Sequence, residues 1–150
     1  QPCRVYMVST VQTSFWGSQK SANETYYIPE MEKLAERFGF QLTSQKEIIT
    51  TLAEAEAAGG KIRESGCDFL LIQVSTFADG NLILPLAEAG VRLGLWAVPE
   101  ITSSGAIPNN SFCGINMYGS IIHQYIDRTL RTMVFGIVND PLFLHRFEIT

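Results

Sequence analysis

The side chains able to do chemistry are few and scattered. Cys3, Cys67 and Cys113 stand far apart, and the two histidines, His123 and His145, have no partner at metal-ligand spacing. No CxxC or Cys/His cluster occurs, so neither a zinc site nor a disulfide framework is expected. A nucleophilic Cys113 needs a base beside it, and His123 lies in a separate stretch with no third partner in view. The thiols therefore read as buried free cysteines in a reducing cytoplasm. No G-x-G-x-x-G follows the first strand and no Walker A lysine motif exists, which removes the fingerprints of dinucleotide and P-loop sites. An FMN site wants small residues after the first strand, where backbone amides converge on phosphate. The stretch "STVQTSFWGSQ" has the hydroxyls but sets Phe15 and Trp16 in that place.

What remains is a mixture of amides, hydroxyls and aromatics. Gln73, Ser75, Thr76, Asn110 and Asn116 can hydrogen-bond hydroxyl groups, while Trp16, Phe77 and Trp96 can stack on the apolar face of a small polar ligand. That chemistry suits a sugar or polyol better than a phosphate. Each residue has a plainer reading. Phe77 can be a core or interface aromatic, and Trp16 can pack on a partner subunit. Glu100 is either a base at a strand end or a solvated loop carboxylate. Asp79 reads as a helix cap, Trp96 as core and His145 as a surface residue.

The elements that must position these residues follow from apolar periodicity. The spacing predicts strands at Val5–Ser9, Phe40–Leu42, Asp68–Val74, Val91–Val98 and Thr132–Val138. Helices are predicted at Glu24–Phe38, Thr50–Ser65, Asn81–Ala89 and Ile115–Leu130, with another starting at Pro141 behind Asp140. Asn23 is expected to cap the first helix, and Gly39 and Gly66 to end helices. Residues 99–112 read as a long irregular loop.

Strand and helix alternate five times. The expected fold is therefore α/β: a three-layer, five-stranded parallel sheet, flavodoxin-like (Rossmann-like), in the order 2-1-3-4-5. In such a sheet ligands bind beyond the carboxyl ends of the strands, at the switch point between strands one and three. This rule selects Ser9–Gly17, Gln73–Gly80, Pro99–Glu100 and Asn109–Met117, the segments that hold the candidate residues.

Composition adds bounds. The 150 residues fit one domain with a proper core, being 46% apolar and 17% charged. The net charge is −4 and no basic patch stands out, so nucleic acid is not an expected partner. No apolar run approaches membrane-spanning length, and the N-terminus lacks the pattern of a signal peptide, so a cytoplasmic location is expected. The apolar helix at the C-terminus, with Phe143, Phe147 and Ile149, either closes the same sheet or leads into a further domain.

Taken in order, several stretches resemble the N-terminal region of the L-fucose/L-arabinose isomerase-like family. They are "CDFLLIQVSTFADGNLILPLA", "LWAVPE", "NNSFCGINMYGS" and "VFGIVNDPLF", and the likeness spans about residues 4–150. The resemblance implies an aldose–ketose isomerase that moves a proton through an enediol with a divalent metal, usually manganese. It places the metal ligands and acid/base carboxylates in later domains, so no cofactor and no catalytic residue is expected here. It implies a substrate-pocket domain, often closed across a subunit interface in trimers or hexamers. Phe77 carries over as a substrate-side residue, together with the loop Gln12–Trp16. It also implies that residues 1–138 form the flavodoxin-like domain and 139–150 start a connecting helix. The rival reading is a free-standing small-molecule binding or regulatory module.

Overall fold

The computed structural model describes residues 1–100, 104–126, 130–138 and 140–148; the side chains at 125, 126, 130–132 and 135 are outside this description. Five strands form one parallel sheet: β1 (Arg4–Thr10), β2 (Gln41–Ser44), β3 (Phe69–Val74), β4 (Arg92–Ala97) and β5 (Leu130–Phe135). Their order is β2-β1-β3-β4-β5 and every pairing is parallel, the flavodoxin-like arrangement the sequence implies. The helices are α1 (Trp16–Ala22), α2 (Ile28–Phe38), α3 (Leu52–Ser65), α4 (Ile83–Ala87), α5 (Ser111–Ile121) and α6 (Pro141–Glu148).

β3 is the centre of the sheet, and all six of its residues are buried. Its run of Phe, Leu and Ile is what a strand covered on both faces requires. Successive side chains enter opposite cores. Leu70, Ile72 and Val74 join Ala55, Ile62, Leu86 and Tyr118 beneath α3, α4 and α5. Phe69 and Leu71 join Met7, Met31, Leu34, Trp96 and Phe143 beneath α2 and α6. Each fully buried Leu or Ile contributes roughly 1.5–3 kcal/mol of transfer free energy. Trp96 is core as expected: it is wholly buried, its Nε1 donates to the Gly136 carbonyl at 2.9 Å, and Tyr27 and Phe143 meet it edge-on.

Local signals hold at several ends. Gly39 and Gly66 take φ of 74° and 64°, the left-handed region that ends a helix cleanly. Asp79 Oδ1 accepts the Asn81 amide ahead of α4, and Asp140 Oδ1 accepts the amides of Leu142 and Phe143 at the start of α6. The C-terminal helix lies on this sheet, with Phe143 1% exposed. Thr51 and Glu54 form a capping box at the start of α3.

Other expectations need correction. The first helix starts well before Asn23: a 3-10 turn (Thr13–Phe15) leads into α1, and a π-helical turn (Asn23–Tyr27) joins α1 to α2. Asn23 caps nothing, because its side chain is buried and turned onto Ser9. The loop Gln12–Trp16 is thus largely the opening of a helix. α5 starts at Ser111, inside the expected long loop, because Ser111 Oγ bonds the Val98 carbonyl and Gly114 lets the helix sit on β3. β5 starts two residues before the expected Thr132. In α5 and the π-helical turn after it (Ile122–Ile126), Tyr118 and Ile122 are buried, while the Tyr125 and Ile126 side chains lie outside the described residues, as does Ile149. The cysteines are free, but Cys3 and Cys113 are exposed rather than buried. Cys3 precedes β1 at the sheet's end, and Cys113 sits on the outer side of the first turn of α5, opposite the buried Gly114 and Ile115.

The glycine pair in α3 divides by neighbour. A methyl group on Gly59 would stand 2.8 Å from the Pro85 carbonyl oxygen, whereas one on Gly60 meets open space. Gly59→Ala should therefore cost roughly 1–3 kcal/mol through forced separation of α3 and α4. Gly60→Ala should gain about 0.5–1 kcal/mol from helix propensity. Thermal unfolding of the two variants should move in opposite directions, and two shifts of the same sign would remove the close-approach argument.

Candidate functional site

The carboxyl ends of β1, β3 and β4 bring most of the selected residues to one edge. Two backbone bonds stitch the strand ends, Ser75 N to Thr10 O at 3.1 Å and Val98 N to Val74 O at 3.2 Å. Above them Gln12 N donates to Thr76 Oγ1 at 2.7 Å, which joins the loop after β1 to the loop after β3. Phe77 N donates to the Asn109 carbonyl at 2.6 Å, which joins that loop to the segment before α5. Gly114 makes the last approach possible, since a methyl group there would stand 2.9 Å from Val74 and 3.5 Å from the Phe77 Cα.

On this edge the side chains divide into floor and rim. Gln73, Ser75 and Thr76 are wholly buried, and Ser9 and Thr10 nearly so. Phe77, directly after them, is 43% exposed, and Trp16 is 44% exposed with the Lys20 ammonium 5.2 Å from its ring centre. Gln12 is exposed; its backbone amide donates to Thr76 and its carbonyl accepts the Phe15 amide at 2.9 Å. The Glu100 oxygens accept the amides of Asn109 at 3.2 Å and Asn110 at 2.6 Å, so this carboxylate braces the approach to α5. Asn116 is exposed and donates to the Phe112 carbonyl of its own helix, at 2.9 Å; nothing connects it to the floor. His123 and His145 are both exposed and distant in the chain from this edge.

Two features of the edge were not anticipated. The first is a chain of buried amides and hydroxyls: Gln19 Nε2 to Asn23 Oδ1 at 3.1 Å, Asn23 Nδ2 to Ser9 Oγ at 2.9 Å, and Ser9 Oγ to Gln73 Oε1. The signal was present in the strands. Val5 and Met7 in β1, and Phe69 and Leu71 in β3, are followed on the same face by Ser9 and Gln73, which pair in register. The second is the distribution of exposed apolar groups. Trp16, Leu52, Phe112 and Leu142 lie at the starts of α1, α3, α5 and α6, and Phe77 and Ile137 follow β3 and β5. All stand on the carboxyl edge.

The electrostatics of the edge are equally one-sided. Glu54, Asp79, Glu100 and Asp140 each accept backbone amides at, or just before, the start of a helix. The positive ends of α3, α4, α5 and α6 are thereby already served by this protein's own carboxylates. The Thr50 amide, reinforced by the Thr50 hydroxyl and Thr51, holds the Glu54 carboxyl below its ordinary value despite partial burial. Burial pushes the Tyr118 phenol up to about 12, against a weak bond to Thr10 Oγ1, so it is a neutral donor within this edge.

A cavity of about 770 Å³ lies elsewhere, at the amino ends of the strands, lined by Phe38, Phe40, Phe69, Phe147, Asp68, Arg92 and Glu148. It joins aromatic rings to the charged Asp68, Arg92 and Glu148, a chemistry unlike the amides and hydroxyls of the carboxyl edge. A smaller hollow of about 410 Å³ lies beside Asp79, Gly80, Leu84 and Ile121. Among the described residues no three His, Cys, Asp or Glu side chains come together. None of their helices is long and apolar enough to cross a membrane.

Fold and edge together define a flavodoxin-like α/β domain whose amides and hydroxyls gather at its switch point. No protein-family model matches the chain, and no curated protein matches it. Among solved structures it is similar to an ABC-transporter periplasmic solute-binding protein from Actinobacillus succinogenes 130z, determined with bound D-allose. The TM-score is 0.40 and the identity 8%; the match covers 90% of this chain and 59% of that one.

Glu54 gives a pH prediction with a definite sign. Its carboxyl is lowered in the folded state, so its contribution is present above the ordinary value of 4.5 and is lost as pH falls through the lowered value. Glu54→Gln should therefore lose stability near neutral pH by roughly 0.5–1 kcal/mol and show a shallower decline on acidification. Urea unfolding at about pH 7 and about pH 3 would check this. An equal loss at both values would detach the carboxylate charge from the cap.

Proposed function

We propose that this chain is the substrate-pocket domain of a sugar-handling protein like the L-fucose/L-arabinose isomerases, and that its switch-point crevice takes a neutral aldose or ketose. The observation that carries the reading is the coincidence, on one edge, of a buried floor of amides and hydroxyls with the exposed ring of Phe77. Polyols are held by this combination: hydroxyls pair with amide and hydroxyl groups, and the apolar face of the ring lies against an aromatic. The carboxylates at the helix starts argue in the same direction. A phosphate or nucleotide needs free helix amides and positive charge, whereas Asp140 takes two first-turn amides of α6 and the carboxylates of Glu54, Asp79 and Glu100 stand just ahead of α3, α4 and α5.

In this reading Phe77 and Trp16 form the rim, and Gln73, Thr76 and the Gln12 loop face the sugar. Glu100 holds the Asn109–Asn110 segment in place, and Asn116 stands at the outer margin. The exposed apolar side chains around the edge mark it as a surface meant to be covered. A second subunit, or a further domain of a longer protein, would complete the pocket and supply metal ligands and acid/base carboxylates. Residues 139–150 would lead toward such a domain.

Calorimetric titration with a panel of neutral aldoses, ketoses and their phosphates tests the reading. At least one neutral sugar should bind, its phosphate no more tightly. Phe77→Ala should weaken that sugar about tenfold, the loss of one ring contact, with thermal stability retained. These 150 residues with manganese should leave every aldose unconverted. Tighter binding of the phosphates, or turnover by this chain alone, would overturn the proposal.

A further inference from the structure

The buried chain of side chains behind the crevice has a direction. Gln19 donates to Asn23, Asn23 donates to Ser9, and Ser9 donates to Gln73 Oε1. Each bond fixes which end of the next group is free. Ser9 is left with its proton for Gln73, and the Gln73 carboxamide is held with oxygen toward Ser9 and nitrogen away. The π-helical turn that begins at Asn23 is part of this arrangement, since it carries the residue that grips Ser9. All four residues are at least nine-tenths buried.

The chain ends on unused donors. Gln73 Nε2 has no partner among the described residues, and neither does Ser75 Oγ, two positions along on the same face of β3's path. Both residues are 0% exposed. The floor already built by the fold thus presents two N–H groups and one hydroxyl, oriented from behind, at the carboxyl end of the central strand.

We propose that Gln73 Nε2 and Ser75 Oγ form a specificity-determining pair that reads one oxygen of the bound sugar. The inference rests on the sugar reading of this crevice and names the residues that choose among sugars. Phe77 on the rim accepts any ring with an apolar face; the Gln73–Ser75 pair demands an oxygen at one position. To admit it, the loops after β1 and β3, joined by the Gln12–Thr76 bond, part as the ligand enters. Donors sealed from bulk water discriminate strongly, because an analogue without the oxygen leaves them unpaired in the complex.

The test uses the whole chain, a neutral sugar that it binds, and the set of that sugar's monodeoxy analogues. The parent protein should lose about tenfold or more in affinity for one analogue, that lacking the oxygen read. Gln73→Met, similar in volume without donors, should bind that analogue and the sugar alike while keeping its discrimination at other positions. Ser75→Ala removes one hydroxyl from a small side chain, and should narrow the same difference even if Gln73→Met does not fold. Uniform weakening across all analogues would show a structural role only and overturn the assignment. An unchanged deoxy pattern in both variants would also overturn it, while loss of binding in Phe77→Ala would leave the sugar reading standing. Failure of the parent to bind any sugar would remove both.

Discussion

The structure depends on one constraint: the central pair of strands, β1 and β3, is covered on both faces. Along Val5–Val8 and Phe69–Ile72 every side chain enters a dry core, and those residues are aliphatic or aromatic throughout. A polar side chain there would lose its water without compensation. The change to Ser9, Thr10, Gln73, Ser75 and Thr76 comes at the last turn of the pleat, where both strands reach the edge together. Because the register offsets the two strands so that Ser9 faces Gln73, the polar ends coincide. The crevice is the place where the same burial that stabilises the sheet first meets groups it cannot satisfy by itself.

Helix polarity then sorts the charges. In a parallel α/β layer every helix begins near the carboxyl edge and ends near the amino edge. Carboxylates collect at the beginnings, at Glu54, Asp79, Glu100 and Asp140. Cations collect at the ends and at the strand starts: Arg37 and Arg63 in the last turns of α2 and α3, Arg4 and Arg92 at the start of β1 and β4. Each placement is worth only a few tenths of a kcal/mol to about 1 kcal/mol. Their sum has a chemical consequence larger than their stability: it sets negative charge beside the helix starts at the carboxyl edge, which disfavours an anion there. The exposed Arg4–Asp68 pair at 3.1 Å sits at the opposite end and bears on neither floor nor rim.

Much of the fold was legible because it rests on local rules. Alternation of apolar runs with turns identifies the strands, and Gly39, Gly66, Asp79 and Asp140 punctuate the helices as their chemistry demands. The site was legible only in outline. Gln73, Thr76 and Phe77 could be placed at a strand end by topology alone, but their division into floor and rim depends on which loops cross above them. Asn23 shows the difficulty: an Asn before an apolar periodic run is a good cap, yet here a longer helix carries it inward to Ser9. The choice is made by packing of that helix on β1, through partners fourteen residues apart that no local pattern joins. Glu100 is similar, since its role as a brace appears only once Asn109 and Asn110 return to it.

The exposed ring of Phe77 and the sealed amide of Gln73 are therefore two answers to one problem. The edge must be polar enough to end the sheet and, under the proposed reading, apolar enough to hold a sugar ring. The strand solves this by alternation: Gln73 points back into the layers and is held through Ser9 and Asn23, and Phe77, which leaves the strand, carries the aromatic. The Phe77 amide, bonded to the Asn109 carbonyl, fixes where that ring stands relative to the floor. A rim set by backbone and a floor set by side-chain bonds can vary independently. Under the proposed sugar reading, substitution on the floor would change which oxygen is read, while substitution on the rim would change how firmly any ring is held.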